Sequence, residues 1–165
     1  MDFDITNIKN LQKIAEQLST LICTEKKFFI FYLEGNLGSG KTTLVREIMS
    51  KMGWKKPVKS PTFSILEEYE FNGMKVLHAD LYRLEQAKEF EFIGLEINFD
   101  DHGAFFIEWP EKIDRFNSSN EIFVKLTVTA KNRILNISSK PKRILCCIDR
   151  IKILRTAGNF PTIFC

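Results

Sequence analysis

Phe28-Phe29-Ile30-Phe31-Tyr32-Leu33, followed closely by Gly35-Asn36-Leu37-Gly38-Ser39-Gly40-Lys41-Thr42, is the stretch that decides the fold. The first six residues are an unbroken apolar and aromatic run, which reads as a strand buried on both faces. The next eight fit G-x-x-x-x-G-K-[ST] without a mismatch. Glycines allow the positive φ values that turn successive backbone N–H groups inward to form an anion cradle. Lys41 extends a cation toward the terminal phosphates of a nucleotide, and the Thr42 hydroxyl can ligate Mg²⁺. Residues 41–52 read as a helix closed by Gly53, and its N-terminus adds a dipole that favours anions. Asn36, Leu37, Gly38, Ser39, Gly40, Lys41, Thr42 and Thr43 are therefore the expected nucleotide-binding residues. A chance glycine-rich turn is the bland alternative, but it lacks the strand before and the helix after.

Working outward, residues 6–23 place Ile8, Leu11, Ile14, Ala15 and Leu18 at helical spacing, with Thr6 or Asn7 as N-cap. Phe63–Phe71 and Met74–Asp80 read as two strands joined by Asn72-Gly73, the strongest short hairpin signal. Glu85–Ile93 reads as a short helix stopped by Gly94. Ala104–Trp109 reads as a strand, and Pro110 opens a helix to Phe116. Phe123–Thr129 and Ile134–Ser138 read as a terminal hairpin. Strands alternating with helices predict an α/β fold of the P-loop NTPase type, a mixed sheet flanked by helices, with antiparallel hairpin strands. Residues 1–139 form the expected P-loop ATPase domain. Residues 140–165 form a basic C-terminal tail without an assigned role, its apolar residues at 144, 145, 148 and 151 compatible with an amphipathic helix.

A phosphate-binding loop needs an acidic partner for the metal. Two apolar runs end in a carboxylate, Val76-Leu77-His78-Ala79-Asp80 and Phe105-Phe106-Ile107-Glu108. Ligands of open α/β sheets sit at the carboxyl ends of strands, so both Asp80 and Glu108 are candidates. His78 reads as a packed or hydrogen-bonded strand residue, and Trp109 as core or rim. Asp100-Asp101-His102-Gly103 satisfies D-x-x-G but precedes a strand, and no N-K-x-D segment exists to read guanine. Adenine is the expected base.

The bulk properties of the 165 residues are those of one domain, 44% hydrophobic and 27% charged. The tail carries six basic residues against Asp149, a net of +5, so the total of +3 leaves the body at −2. That body has no nucleic-acid stripe. No apolar run approaches the length of a membrane span, and Met1-Asp2-Phe3-Asp4 lacks the order of a secretory leader. Cysteines at 23, 146, 147 and 165 show no metal-ligand spacing. A cytoplasmic protein with free thiols is expected.

Four segments in order carry a more specific pattern: Gly38-Ser39-Gly40-Lys41-Thr42-Thr43, Ser60-Pro61-Thr62-Phe63, His78-Ala79-Asp80-Leu81-Tyr82-Arg83-Leu84 and Glu108-Trp109-Pro110-Glu111. Together they resemble the bacterial TsaE family, ATPases of tRNA threonylcarbamoyladenosine biosynthesis, over roughly residues 5 to 139. The resemblance implies an ATPase subunit that binds Mg²⁺ and ATP and works with the TsaD and TsaB proteins. It meets tRNA indirectly, through that complex. By position, Thr42 and Glu108 would ligate Mg²⁺, and Asp80 would act on the attacking water or through the metal shell. Lys41 and Asp80 are thus the implied catalytic pair. Thr62 would lie in a switch-like loop near the γ-phosphate, and Arg133 near the base. A small-molecule kinase and a nucleotide-gated binding module are the rival readings. A kinase would normally add a basic lid, for which only Arg83 and Arg115 stand available.

Overall fold

Strand β2 (Phe28–Glu34) runs between parallel neighbours, β5 (Gly103–Glu108) on one side and β6 (Glu121–Val128) on the other. The computed structural model of the chain describes residues 1–61, 64–91, 95, 97–141 and 144. The sheet has seven strands, in the order β1 (Asp2–Asp4), β7 (Arg133–Lys140), β6, β2, β5, β4 (Met74–Asp80) and β3 (Leu66–Phe71). Its parallel centre is extended at both edges by antiparallel pairs, β3 on β4 and β7 on β6. The fold is therefore the expected mixed α/β sheet with hairpin strands. At the β3–β4 turn both Asn72 (φ 52°) and Gly73 (φ 71°) are left-handed, the two-residue turn that the Asn-Gly pair predicts.

Because β2 is covered on both sides, its side chains divide between two cores. Phe29, Phe31 and Leu33 join Val76, Phe106, Val124 and Ile137 beneath α1 (Ile8–Glu25) and α2 (Lys41–Lys51). Phe28, Ile30 and Tyr32 join Leu77, Ala79, Phe105 and Ile107 on the opposite face. Phe31 and Phe106 stack across adjacent strands with centroids 4.8 Å apart. Each such fully buried ring contributes roughly 1.5–3 kcal/mol. Helix α1 is capped by Asn7, whose side chain accepts from the Lys9 N–H at 3.0 Å. Helix α2 ends as expected at Gly53: the Gly53 N–H donates to Ser50 O and the Trp54 N–H to Met49 O, which satisfies two terminal carbonyls.

Three features depart from the sequence reading. Pro110 opens only one 3₁₀ turn, Pro110–Lys112, after which Ile113 is extended (φ −136°, ψ 162°). The chain straightens there because Ile113 and Phe116 must lie along the second core, and the Phe116 N–H is tied to the Tyr32 hydroxyl at 3.1 Å. A short strand β1 (Asp2–Asp4), absent from the sequence reading, pairs antiparallel with β7. Cys23 is disulfide-bonded, where a free thiol was expected. Of the predicted helix Glu85–Ile93, the structure forms α3 over Lys88–Glu91; positions 92–94 lie outside the described residues, as does most of the tail. Strand β7 continues through Lys140, and Ile144 is buried within the first core.

Candidate functional site

The glycine-rich loop leaves β2 at the carboxyl edge of the sheet and enters α2 through Gly40, a left-handed N-cap (φ 107°) with no side chain to satisfy the first helical N–H groups. No acidic residue stands in that first turn. Those uncapped donors and the helix dipole make the turn receptive to an anion. The loop also lies tightly on β6. A Cβ at Gly35 would sit 2.6 Å from Leu126 O and 2.7 Å from Ser39 Oγ. Ser39 Oγ is itself buried without a hydrogen-bond partner among the described residues.

Lys41 folds back over the loop. Its Nζ donates to Gly35 O at 2.6 Å and to Asn36 O at 3.2 Å, and lies 4.0 Å from the centroid of the Trp109 ring. The side chain is almost entirely covered, and this burial pushes the ammonium pKa below its ordinary value. Glu108, Asp80 and Glu111 oppose that shift as nearby negative charges. A cation short of water and anchored on carbonyls is well placed to meet phosphate oxygens.

Strands β4 and β5 end together, with Asp80 opposite Glu108 in the parallel register. Both carboxylates are buried, Asp80 at 7% and Glu108 at 3% exposure. The Thr42 hydroxyl donates to Glu108 Oε1 at 2.7 Å, and His78 Nε2 lies 2.9 Å from that same oxygen. Asp80 Oδ1 accepts from the Tyr82 N–H at 3.2 Å, and Oδ2 lies 3.5 Å from Ser60 Oγ. Residues Leu37 through Thr43, together with Arg133 from the start of β7, line one cleft of about 230 Å³ with Asp80, Glu108 and Trp109. Leu37 projects outward at 75% exposure, so its backbone is the part that serves the loop.

The fold thus brings together Gly38, Ser39, Gly40, Lys41, Thr42, Thr43, Asp80, Glu108 and Arg133, with Asn36 joined through its carbonyl. Thr62 lies outside the described residues. His78, read as a packed or hydrogen-bonded strand residue, is one, and its partner is the candidate ligand Glu108. Its signal was its position two residues before Asp80, because i and i+2 share one face of a strand. Ser60, Tyr82 and Trp109 also reach the cleft.

Among the described residues no cluster of three or more His, Cys, Asp or Glu could cage a metal ion. Mg²⁺ needs no such cage, since it keeps several waters and takes one or two protein oxygens. Thr42 and Glu108 fit that requirement. The Thr42 proton is directed at Glu108, which leaves the hydroxyl lone pairs free for a cation.

Residues 5–135 match the family model described as threonylcarbamoyl adenosine biosynthesis protein TsaE. The chain belongs to the TsaE family. The tRNA threonylcarbamoyladenosine biosynthesis protein TsaE of Haemophilus influenzae is 45% identical over 101 residues, which cover 61% of this chain and 63% of that protein. The match therefore spans a little under two thirds of that relative's length. The protein of the same name from Rickettsia felis is 33% identical over 132 residues, 79% of this chain and 75% of the relative. The crystal structure of Bacillus subtilis YdiB superposes with a TM-score of 0.64 over 94% of this chain and 95% of that one, at 21% identity. That likeness bears on the fold, a P-loop NTPase-like mixed sheet. Among the described residues no helix is long and apolar enough to cross a membrane.

Proposed function

We propose that this chain is a Mg-dependent ATP-binding and ATP-hydrolysing subunit of tRNA threonylcarbamoyladenosine biosynthesis, acting in the cytoplasm with the TsaD and TsaB proteins. The observation that carries this reading is the Thr42–Glu108 hydrogen bond of 2.7 Å, which joins the phosphate-binding loop to a strand-end carboxylate. Family membership supports the pathway, and the missing guanine motif favours adenine. Contact with tRNA is indirect, through the partner complex.

The chain's own residues divide the work. Backbone N–H groups of Asn36 through Thr43 and the start of α2 hold phosphates, and Lys41 exchanges its carbonyl partners for phosphate oxygens. Thr42 and Glu108 hold Mg²⁺, which when bound supplies charge neutralisation at the phosphates. Asp80, braced by the Tyr82 N–H, orients the attacking water or a water of the metal shell. Arg133 reaches the nucleotide from β7, on the base side. Thr62 is assigned to the γ-phosphate by the family pattern alone.

Phosphate release should be measured with ATP and Mg²⁺, with and without the TsaD–TsaB complex. Turnover that rises when the partners are added is the expected result. ATP hydrolysis unchanged by the partners would overturn the partner assignment, and failure to bind Mg-ATP at all would overturn the nucleotide assignment.

A further inference from the structure

His78 is completely buried in β4, and the reading above gives it no task. Its Nε2 lies 2.9 Å from Glu108 Oε1, while its Nδ1 has no partner among the described residues. A histidine that merely filled space would be a poor choice here. Leaving a buried ring nitrogen unpaired costs about 1–3 kcal/mol, which a leucine or phenylalanine avoids. The arrangement makes sense when Nε2 carries the proton and donates to the carboxylate, because the opposite tautomer would face two lone pairs against each other.

Glu108 Oε1 then accepts two interior hydrogen bonds, from Thr42 Oγ1 and from His78 Nε2. No described residue hydrogen-bonds Oε2. One oxygen is pinned from inside the protein and the other is left for the cleft. A carboxylate held by one donor alone can rotate about its last bond, whereas two donors on one oxygen restrain it. Holding the carboxylate also holds the direction of the Thr42 O–H, and with it the hydroxyl lone pairs.

We infer that His78 is a positioning residue: through the His78–Glu108–Thr42 chain of hydrogen bonds it fixes Glu108 to present a single oxygen, and Thr42 to present its lone pairs, to a divalent cation. The inference rests on the proposed metal role of Thr42 and Glu108 and adds the residue that orients them. Groups that orient metal ligands in this way typically carry about 10–100-fold in metal affinity.

The test is calorimetric titration of the full chain with ADP, in Mg²⁺ and in chelator, for the parent, His78→Leu, His78→Gln and Glu108→Gln. The gain in affinity on adding Mg²⁺ should fall about tenfold or more in His78→Leu. Affinity in chelator should change less than about twofold, because the phosphate cradle is untouched. Glutamine places an amide N–H near the position of Nε2, so His78→Gln should recover most of the gain. In a Glu108→Gln background, His78→Leu should add no further loss, since the two act through one contact. Should His78→Leu fail to fold, His78→Asn replaces it; its shorter amide cannot reach Glu108, and the same loss is expected. Ring-nitrogen NMR without nucleotide should show a proton on Nε2, with the Nε2 signal moved by Glu108→Gln.

A parent that gains affinity from Mg²⁺ while His78→Leu gains just as much overturns this inference and leaves the proposed function standing. Equal losses with and without Mg²⁺, or an Nδ1–H tautomer, overturn it likewise. A parent with no Mg-dependent gain overturns the metal assignment itself, and the inference with it.

Discussion

Lys41 shows how burial of one charged side chain can oppose stability. Its ammonium is buried, and desolvation lowers its pKa in the fold. A lysine lowered on folding binds its proton less tightly in the native state than in the unfolded chain. Stability therefore rises with pH across the window between the folded value and the ordinary 10.5, and is flat below it. The parent should accordingly gain thermal stability relative to Lys41→Met as pH climbs toward 10.5; melting curves at a series of alkaline pH values check this. Lys41→Ala should lower phosphate release by about a hundredfold or more, because electrostatics supplies most of phosphoryl-transfer catalysis. Circular dichroism should show the fold kept. The two carboxylates should separate by kinetics. Glu108 contacts Thr42, so Glu108→Gln should weaken Mg-dependent nucleotide affinity along with turnover. Asp80 contacts Ser60 and Tyr82 instead, so Asp80→Asn should spare affinity and lower the rate. Paired titrations and partner-stimulated assays read both effects.

At the scale of elements, the site depends on how strands β4 and β5 start as much as on how they end. Gly103 opens β5 opposite Lys75, and a Cβ there would lie 1.8 Å from the Lys75 backbone carbonyl oxygen. That oxygen belongs to main chain, so it cannot step aside as a flexible side chain would. Gly103→Ala should therefore destabilise by about 3 kcal/mol, the upper range for overpacking. Because Asp80 and Glu108 lie at the far end of the same register, the variant should also weaken Mg-dependent nucleotide binding. Urea denaturation measures the first effect and calorimetry the second. The elements easiest to read were those with local signals: β2 from its apolar run, the Asn72-Gly73 turn, and the end of α2 at Gly53. The turn after Pro110 was misread because its outcome is set by distant contacts. Proline favours a helix start, but burial of Ile113 and Phe116 against the second core wins.

For the molecule as a whole, the sheet is closed at its β7 edge by segments from both ends of the described chain. Strand β1 pairs with β7, and Ile144 packs into the core beyond β7. A chain ending at Ser139 loses the Lys140 pairing, the burial of Ile144 and the disulfide of Cys23, since the other three cysteines all follow Ser139. Burying one isoleucine contributes about 1.5–3 kcal/mol. Each kcal/mol shifts the melting temperature by roughly 2–4 °C at this size. Compared under reducing conditions, so that the disulfide is open in both chains, the shortened chain should melt roughly 3–12 °C lower, from those two slopes combined. Its affinity for ADP should stay close to that of the full chain, because the cleft is at the other end of the strands. Differential scanning calorimetry and nucleotide titration test the two halves of this prediction.

Read alone, the sequence determined the sheet class, the glycine-rich loop between β2 and α2, and the candidate residues Lys41, Thr42, Asp80 and Glu108. Each of these rests on short-range information: an apolar run, glycine spacing, or a carboxylate at the end of a strand. Pairing between segments far apart in the chain was decided only by the tertiary structure. Register set Asp80 beside Glu108, and packing swung Lys41 under Trp109. The same packing turned an apparently ordinary strand histidine onto Glu108. Thr42 and Glu108 are 66 residues apart in sequence and 2.7 Å apart in space. No periodicity reports such a contact, because it depends on which strand lies next to which. That order follows from burying both faces of β2 at once.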